Sequence, residues 1–477
     1  MRPVVGFDLD LTLVDSADGI VATFVETAHQ LGVTVDAEAV RATIGVPLED
    51  AMARFLPARL ATEGVRIYRE LYPAMGVTAT TLMPGASEAV AAVHSHGGTA
   101  IVVSAKIQPA VDAVLEHVGL DVDDSVGDLY ANAKGDALRA HGATVHVGDH
   151  PGDMIGAKAA GVMAVGVATG SHDAEALRAA GADVVLADLR DFPHWLDEYV
   201  LTARLAALEA ELRALGSVVV AFSGGADSAF LLAAAVRALG TVRVLAATAV
   251  SPSLPRRELL AAREFADRLG VRHLSPRTDE MSRDGYRANG GDRCYFCKAE
   301  LLDVLGPVAG REGFTHVATG TNADDARAGF RPGIRAAAER GAATPLRDAG
   351  LTKAQVREAS RRWGLSTWDK PAAACLSSRI AYGVEVTPAR LARIDRAESA
   401  LQAALASAGL RVENLRVRDL GDVARIEVDG ELAERVASLP EAAAAVRGVG
   451  FDEVHVDPAG FRSGSMNEML PDPTRWR

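Results

Sequence analysis

Cysteine is scarce. The 477 residues hold three, Cys294, Cys297 and Cys375. An odd number this small is not a disulfide framework, so chemistry or a metal is the better use for them. No second cysteine pair exists to complete a zinc ribbon. Long apolar runs are also missing: none reaches membrane-spanning length, and Asp8 and Asp10 break the one nearest the N-terminus. No membrane partner is expected. With no signal peptide visible, the cytoplasm is the default location. Positive charge is in deficit, with 50 Lys and Arg against 63 Asp and Glu and a net charge of −13. An acidic chain is a poor binder of polyanions, which weighs against a nucleic-acid substrate. There is no GxxxxGK[ST] loop and no glutaminase signature.

What is present supports large cores. Hydrophobic residues make up 49%, and the length suits two or three domains. The second half is organised by Val218-Val-Val-Ala-Phe-Ser-Gly-Gly-Ala-Asp-Ser228. Its apolar start reads as a buried parallel strand. Ser223, Gly224 and Gly225 form a tight turn, and a helix opens near Asp227. A strand, a glycine turn and a helix N-terminus make a phosphate cradle, because backbone N–H groups and the helix dipole both favour an anion there. SGGADS resembles the PP-loop of N-type ATP pyrophosphatases, which split ATP into AMP and pyrophosphate. The resemblance assigns Ser223, Gly224, Gly225, Asp227 and Ser228 to the ATP phosphates and their Mg²⁺.

The first half opens with a strand, PVVGFDLDLTLV, ending in Asp8, Asp10 and Thr12. Two carboxylates two apart at a strand end point the same way. They can share a Mg²⁺ while one attacks phosphorus. Further on, Ala100–Val103 delivers Ser104, Lys134 opens a helix, and Val145–Val147 delivers Asp149 with Asp153 four residues later. These four pieces, in this order, resemble the haloacid dehalogenase (HAD) phosphatases over residues 1–199. The GVPL stretch and the size resemble the phosphoglycolate-phosphatase and pyrophosphatase-like branch. The resemblance makes Asp8 the nucleophile and Asp10 the general acid/base. Ser104 and Lys134 would bind the phosphoryl group. The Mg²⁺ site would comprise Asp8, Asp149, Asp153 and Asp10, the last through its backbone carbonyl. Residues 15–82 would form a helical cap.

From about residue 200 a second pattern begins. Leu201–Leu215 reads as an amphipathic helix, with Leu205, Leu208, Leu212 and Leu215 on one stripe. Alternating strands and helices then predict a doubly wound α/β sheet. Within it lie Arg293-Cys-Tyr-Phe-Cys-Lys298 and Ala373-Ala-Cys-Leu-Ser-Ser-Arg379. A CxxC at a helix start can chelate a metal or form a redox disulfide. Three thiolates match a [4Fe–4S] cluster with one iron open; buried thiols acting as small hydrophobes remain the alternative.

These motifs, together with the glycine turn and the terminal GFRSGSMNE, are similar to the LarE-type ATP-dependent sulfur transferases. That resemblance covers residues 201–477, with a PP-loop domain over 200–385 and an α+β region over 386–477. It implies adenylylation of a carboxylate on a pyridinium dicarboxylate mononucleotide, then displacement of AMP by sulfur. The sulfur would come from a sulfide held on a cluster by Cys294, Cys297 and Cys375, or from Cys375 itself, sacrificed to dehydroalanine. Arg379, Arg416 and Arg418 would meet phosphate; a charged solvent face is the other reading of Arg416 and Arg418. Asp324 and Asp325 either meet Mg²⁺ or cap the next helix. Glu398 and Glu427 match subunit-interface carboxylates of the family, although a solvated face accounts for them more simply. The resemblance also implies a homo-oligomer, a ring of six, and an external sulfur donor. A tRNA thiolase is the alternative, without the extra zinc cysteines or basic domain such enzymes carry. Adjacency of the halves suggests that the phosphatase removes pyrophosphate.

Overall fold

The structure is a computed structural model describing residues 2–327, 332–371, 375–462, 465 and 466. The chain divides into two compact units, Met1–Thr202 and Ala203–Arg477. No helix among the described residues is long and apolar enough to cross a membrane.

In the first unit the strands are β1 (Val4–Phe7), β2 (Val14–Asp15), β3 (Thr81–Leu82), β4 (Thr99–Val103), β5 (Asp124–Val126), β6 (Val145–Gly148), β7 (Met163–Val167) and β8 (Val184–Leu186). Six of them form a parallel sheet in the order β5-β4-β1-β6-β7-β8. Val5, Phe7, Val102, Val147 and Val165 are fully buried. A strand covered on both faces needs such unbroken apolar runs. The chain leaves β1 for β4 on one side and later returns to β6 on the other. The crevice where strand order reverses therefore lies at the carboxyl end of β1, where ligands bind in open α/β sheets.

Between β2 and β3, helices Ala17–Gln30, Ala37–Arg41, Leu48–Phe55 and Ala58–Met75 form the cap. The two short strands pair antiparallel, Val14 with Leu82 and Asp15 with Thr81, and close its neck. Phe24, Phe55 and Tyr68 meet edge to face, with Tyr72 stacked on Tyr68 at 5.5 Å.

The helix expected over Leu201–Leu215 is the second part of a longer one, Phe192–Leu215. Its only proline, Pro193, sits in the first turn, where no N–H is required. No glycine follows to break it, and the division between units falls inside it.

The second unit carries β9 (Val218–Ala221), β10 (Val244–Ala247), β11 (His273–Leu274) and β12 (His316–Thr319), all parallel in the order β11-β10-β9-β12. The helix Ala226–Leu239 follows β9 directly, and nine of its residues are buried. A second sheet holds β13 (Leu415–Asp419), β14 (Val423–Val428) and β15 (Glu453–Val456). The helix Pro388–Ser407 covers it, burying Ala397, Leu401 and Leu405 against Val417, Ile426 and Val428. Both units are thus mixed α/β, as the sequence predicts.

Candidate active sites

In the first unit, β1, β4 and β6 end side by side and deliver Asp8, Ser104 and Asp149. The helix Pro151–Ala160 adds Asp153. Oxygens of Asp8, Asp149 and Asp153 all lie within 4.8 Å of one another, and all three residues are buried. Lys134 Nζ bridges two of them, 2.7 Å from Asp8 Oδ1 and 2.6 Å from Asp153 Oδ1. Thr12 Oγ1 donates to Asp149 Oδ1 at 2.9 Å. Burial, then Asp153, push the Asp8 carboxyl up to about 7 against the pull of Lys134. Burial and the charges of Asp8 and Asp153 also hold Asp149 well above the usual range. For Asp153, burial works the same way, but Lys134 and His146 outweigh it and hold its pKa low.

Three buried carboxylates facing one ammonium leave an excess of negative charge that burial penalises. Their oxygens are the hard donors that suit Mg²⁺. Asp10 does not join the trio through its carboxylate, which accepts from Ser16 Oγ at 2.5 Å and lies 3.2 Å from Lys106 Nζ.

Lys106 was not singled out on sequence. It follows Ser104 by two residues, in the same strand-end turn, and that adjacency was the available signal. Its ammonium also donates to Tyr72 Oη of the cap at 2.6 Å.

In the second unit the glycine turn is braced from within. Ser223 N donates to Ser228 Oγ at 3.3 Å, and Ser228 Oγ donates to the Gly225 carbonyl at 3.1 Å. Gly224 has φ +73°, a left-handed conformation that glycine adopts without strain. Ser223, Gly225, Asp227 and Ser228 line a cavity with Thr248, Lys298, Thr321 and Asp325. Burial raises the Asp227 pKa against a 3.3 Å hydrogen bond from Asn322 Nδ2. Asp324 and Asp325 both accept backbone N–H groups, from Lys353 at 2.8 Å and Asn322 at 3.2 Å. Gly320 passes so close to the opening helix that a Cβ there would lie 2.8 Å from Ser228 N. Backbone cannot yield as a side chain does, so Gly320→Ala should destabilise the second unit by about 1–3 kcal/mol, read by urea unfolding of the full chain.

The cysteines come from two segments. Cys294 and Cys297 lie at the start of the helix Arg293–Arg311, and Cys375 precedes the turn Leu376–Arg379. None is in a disulfide. Asn289, fully buried, donates through Nδ2 to the carbonyls of Ala381 and Val384 at 2.8 and 2.9 Å. Arg293 Nη1 donates to Asn289 Oδ1 and, at 2.8 Å, to the Ser377 carbonyl. These bonds fasten the CxxC helix onto the Cys375 segment.

Burial raises the Cys297 pKa, and negative charge on Cys375 and Cys294 raises it further. Cys297 packs into one apolar cluster with Leu376 and Ile380, just after Cys375 in the chain. The three sulfurs do not all lie within 4.8 Å of one another, as the carboxylate trio does. One ion bound at about 2.3 Å by each thiolate would need sulfurs within about 4.6 Å of each other.

Two lysines connect these thiols to the glycine turn. Lys298, next to Cys297, lines the cavity. Burial lowers its pKa, opposed by Cys297 and Asp325. Lys370, upstream of Cys375, donates to the Gly224 carbonyl at 2.9 Å and pairs with Glu258 at 2.8 Å. Ala373 and Ala374 of the AACLSSR motif, and Ser463, Gly464, Asn467 and Glu468 of GFRSGSMNE, lie outside the described residues.

Glu398 and Glu427 overturn the solvated-face expectation, being 1% and 0% exposed. Glu398 pairs with the buried Arg379 at 3.0 Å, and Glu427 with Arg418 at 2.7 Å. Carboxylates enter a core when such partners compensate them. Arg418 is likewise buried, not on a charged solvent face, and donates to the Ser378 carbonyl at 3.2 Å. Arg379 Nη1 donates to the Cys375 carbonyl at 2.9 Å. Arg416 is half-buried; burial, then Arg379 and Arg418, lower its pKa to about 10.

The comparisons with known proteins divide as the chain does. A family model described as "Haloacid dehalogenase-like hydrolase" matches residues 5–123, and one described as "HAD-hyrolase-like" matches 122–192. The probable phosphatase IndB of Dickeya dadantii is 34% identical over 39% of this chain and 90% of its own. The pyridinium-3,5-bisthiocarboxylic acid mononucleotide synthase of Lactiplantibacillus plantarum is 33% identical over 57% of this chain and 96% of its own. The chain belongs to both families, joined end to end. The uncharacterized protein slr1717 of Synechocystis is 40% identical over 57% of this chain and 99% of its own. The HAD-like unit thus accounts for the carboxylate trio. The LarE-like unit accounts for the remainder, including the glycine turn and the thiols.

Proposed function

We propose that the chain is a bifunctional enzyme: a Mg²⁺-dependent phosphohydrolase followed by an ATP-dependent sulfur transferase acting in nickel-pincer nucleotide synthesis. In the second unit, ATP would sit over Ser223–Ser228 with its phosphates on the turn and the helix N-terminus. A carboxylate of a pyridinium dicarboxylate mononucleotide attacks the α-phosphorus, and pyrophosphate leaves. Sulfur then bonds to the acyl carbon as the bond to AMP breaks, giving a thiocarboxylate. Lys298 lies where it can offset charge developing at the phosphates. Arg416 and Arg418 are the candidates for the mononucleotide's own phosphate, and Arg379 holds the Cys375 segment. A [4Fe–4S] cluster held by Cys294, Cys297 and Cys375 would supply the sulfide on its open iron.

The observation that carries this reading is that the two cysteine-bearing segments are bonded to each other and reach the glycine cradle through Lys298 and Lys370. Anaerobic purification tests it. Iron and sulfide should each approach about four per chain, fall in each of Cys294→Ala, Cys297→Ala and Cys375→Ala, and accompany AMP formation when the mononucleotide is added. Full thiolation by iron-free protein, with Cys375 converted to dehydroalanine, would replace the cluster by the sacrificial route. Absence of AMP with any acceptor would overturn the transferase reading.

In the first unit, Asp8 is the proposed nucleophile and Asp10 the proton donor to the leaving group. Ser104 and Lys134 hold the phosphoryl oxygens. Mg²⁺ on Asp8, Asp149 and Asp153 would neutralise developing charge.

A further inference from the structure

Beyond the phosphoryl position, the cavity of the first unit is walled by the cap. Phe24, Ile44, Val46, Leu48 and Tyr68 are among its apolar side chains. Its cations are already matched. Lys106 lies 3.2 Å from Asp10, and Arg69 is 2.6 Å from Glu49. Asp128 adds a further carboxylate to the lining.

A second phosphate in this space would lose its water without gaining a free cation, and an uncompensated buried anion is costly. A ring would lose little, because apolar surface gains by leaving water. The cavity measures about 190 Å³. Asp8, Asp10 and Ser104 line the same cavity, so part of this volume belongs to the phosphoryl group; benzene occupies an apolar protein cavity of about 150 Å³, and the leaving group can be no larger than a single ring.

We infer that the first unit hydrolyses the phosphate monoester of a small, uncharged, ring-sized alcohol, and that pyrophosphate and nucleotides are poor substrates. The inference rests on the phosphohydrolase reading and narrows it. The step balances as a hydrolysis. An Asp8 oxygen bonds to phosphorus as the ester P–O bond breaks, and the alcohol leaves with the Asp10 proton. Water then splits the aspartyl-phosphate to orthophosphate and returns a proton to Asp10. The sequence resemblance to a pyrophosphatase-like branch points the other way, and the two are separable.

The full chain with Mg²⁺ is assayed on benzyl phosphate, pyrophosphate, phosphoglycolate and AMP. Benzyl phosphate should exceed the other three in kcat/KM by about 100-fold or more. Val46→Lys, at a half-buried position on the wall, should narrow that gap at least tenfold by supplying an unpaired cation. Pyrophosphate turned over as well as benzyl phosphate would overturn the inference, as would a Val46→Lys protein with an unchanged ratio. A binding readout separates this from the phosphohydrolase reading itself. Benzylphosphonate should bind the Mg²⁺-loaded Asp8→Asn protein more tightly than methylenediphosphonate, even if no ester is turned over; the reverse order overturns the inference.

Discussion

Asp8→Asn should reduce phosphate release from any ester by about 10⁴-fold or more and leave the activity proposed for the other unit unchanged. Asparagine keeps the shape of the side chain but offers no carboxylate oxygen to attack phosphorus. The same change should raise, not lower, the melting temperature of the metal-free first unit at pH 8. Asp8 has its folded pKa lifted to about 7 by burial and by Asp153. A carboxyl raised on folding adds stability that is complete below its unfolded value near 3.8 and is lost as pH climbs through about 7. At pH 8 the native protein therefore bears the full penalty of that charge, and the asparagine does not. Lys134 retains Asp153 as its partner. Thermal melts of both proteins at pH 5 and pH 8 check the sign: the gain should shrink at the lower pH. A destabilised variant at pH 8 would mean that Lys134 depends on Asp8 more than the trio suffers from it.

Glu398→Ala should destabilise the second unit by about 3–5 kcal/mol. Arg379 lies in the core, 1% exposed, and its guanidinium faces Glu398 at 3.0 Å. Glu398 also accepts from Val417 N at 3.2 Å and pairs with Arg257 at 3.3 Å. Removing it strands a buried cation and orphans a strand N–H. Arg379→Met on top of Glu398→Ala should recover much of the loss, because two apolar groups can replace an ion pair where one lone charge cannot stand. Urea unfolding of the four proteins gives the coupling. Alkylation of Cys375 reports the local effect, because Arg379 also holds the carbonyl of that residue. Faster labelling in Glu398→Ala, suppressed in the double variant, is the expected pattern. Equal losses in single and double variants would show that the carboxylate acts through β13 instead.

The two cores and the strand-borne residues were legible because their signals are local. An unbroken Val-Val-Val-Ala-Phe followed by Ser-Gly-Gly reads as a buried strand running into a turn. Asp8, Ser104 and Asp149 each sit at the end of such a strand, so one sheet topology brings them together. The Glu398 and Glu427 pairs were not legible. Arg379 and Glu398 come from a turn and a helix 19 residues apart, and no periodicity in either segment marks the other. Glu398 alone looks like any helical carboxylate; only the packing of Pro388–Ser407 against β13 buries it. Lys106 and Lys370 escaped for the same reason, being defined by partners on distant segments, Tyr72 and Gly224. The helix Phe192–Leu215 was legible in part. The sequence marks a helix from Leu201 with no linker character before it, but nothing in it shows that the same helix already begins at Phe192.

The carboxylate crevice joins parts that lie far apart along the polypeptide. Lys134 reaches Asp8 across 126 positions, and Thr12 reaches Asp149 across 137. A growing chain leaving the ribosome thus carries Asp8, the proposed nucleophile, from the outset but cannot complete the pocket until Asp153 has emerged. Closing so long a loop is slow compared with forming helices. The cap, encoded between the first two long strands, can gather its helices earlier. Nascent chains halted before Asp153 would be without phosphatase activity, however well their cap had formed.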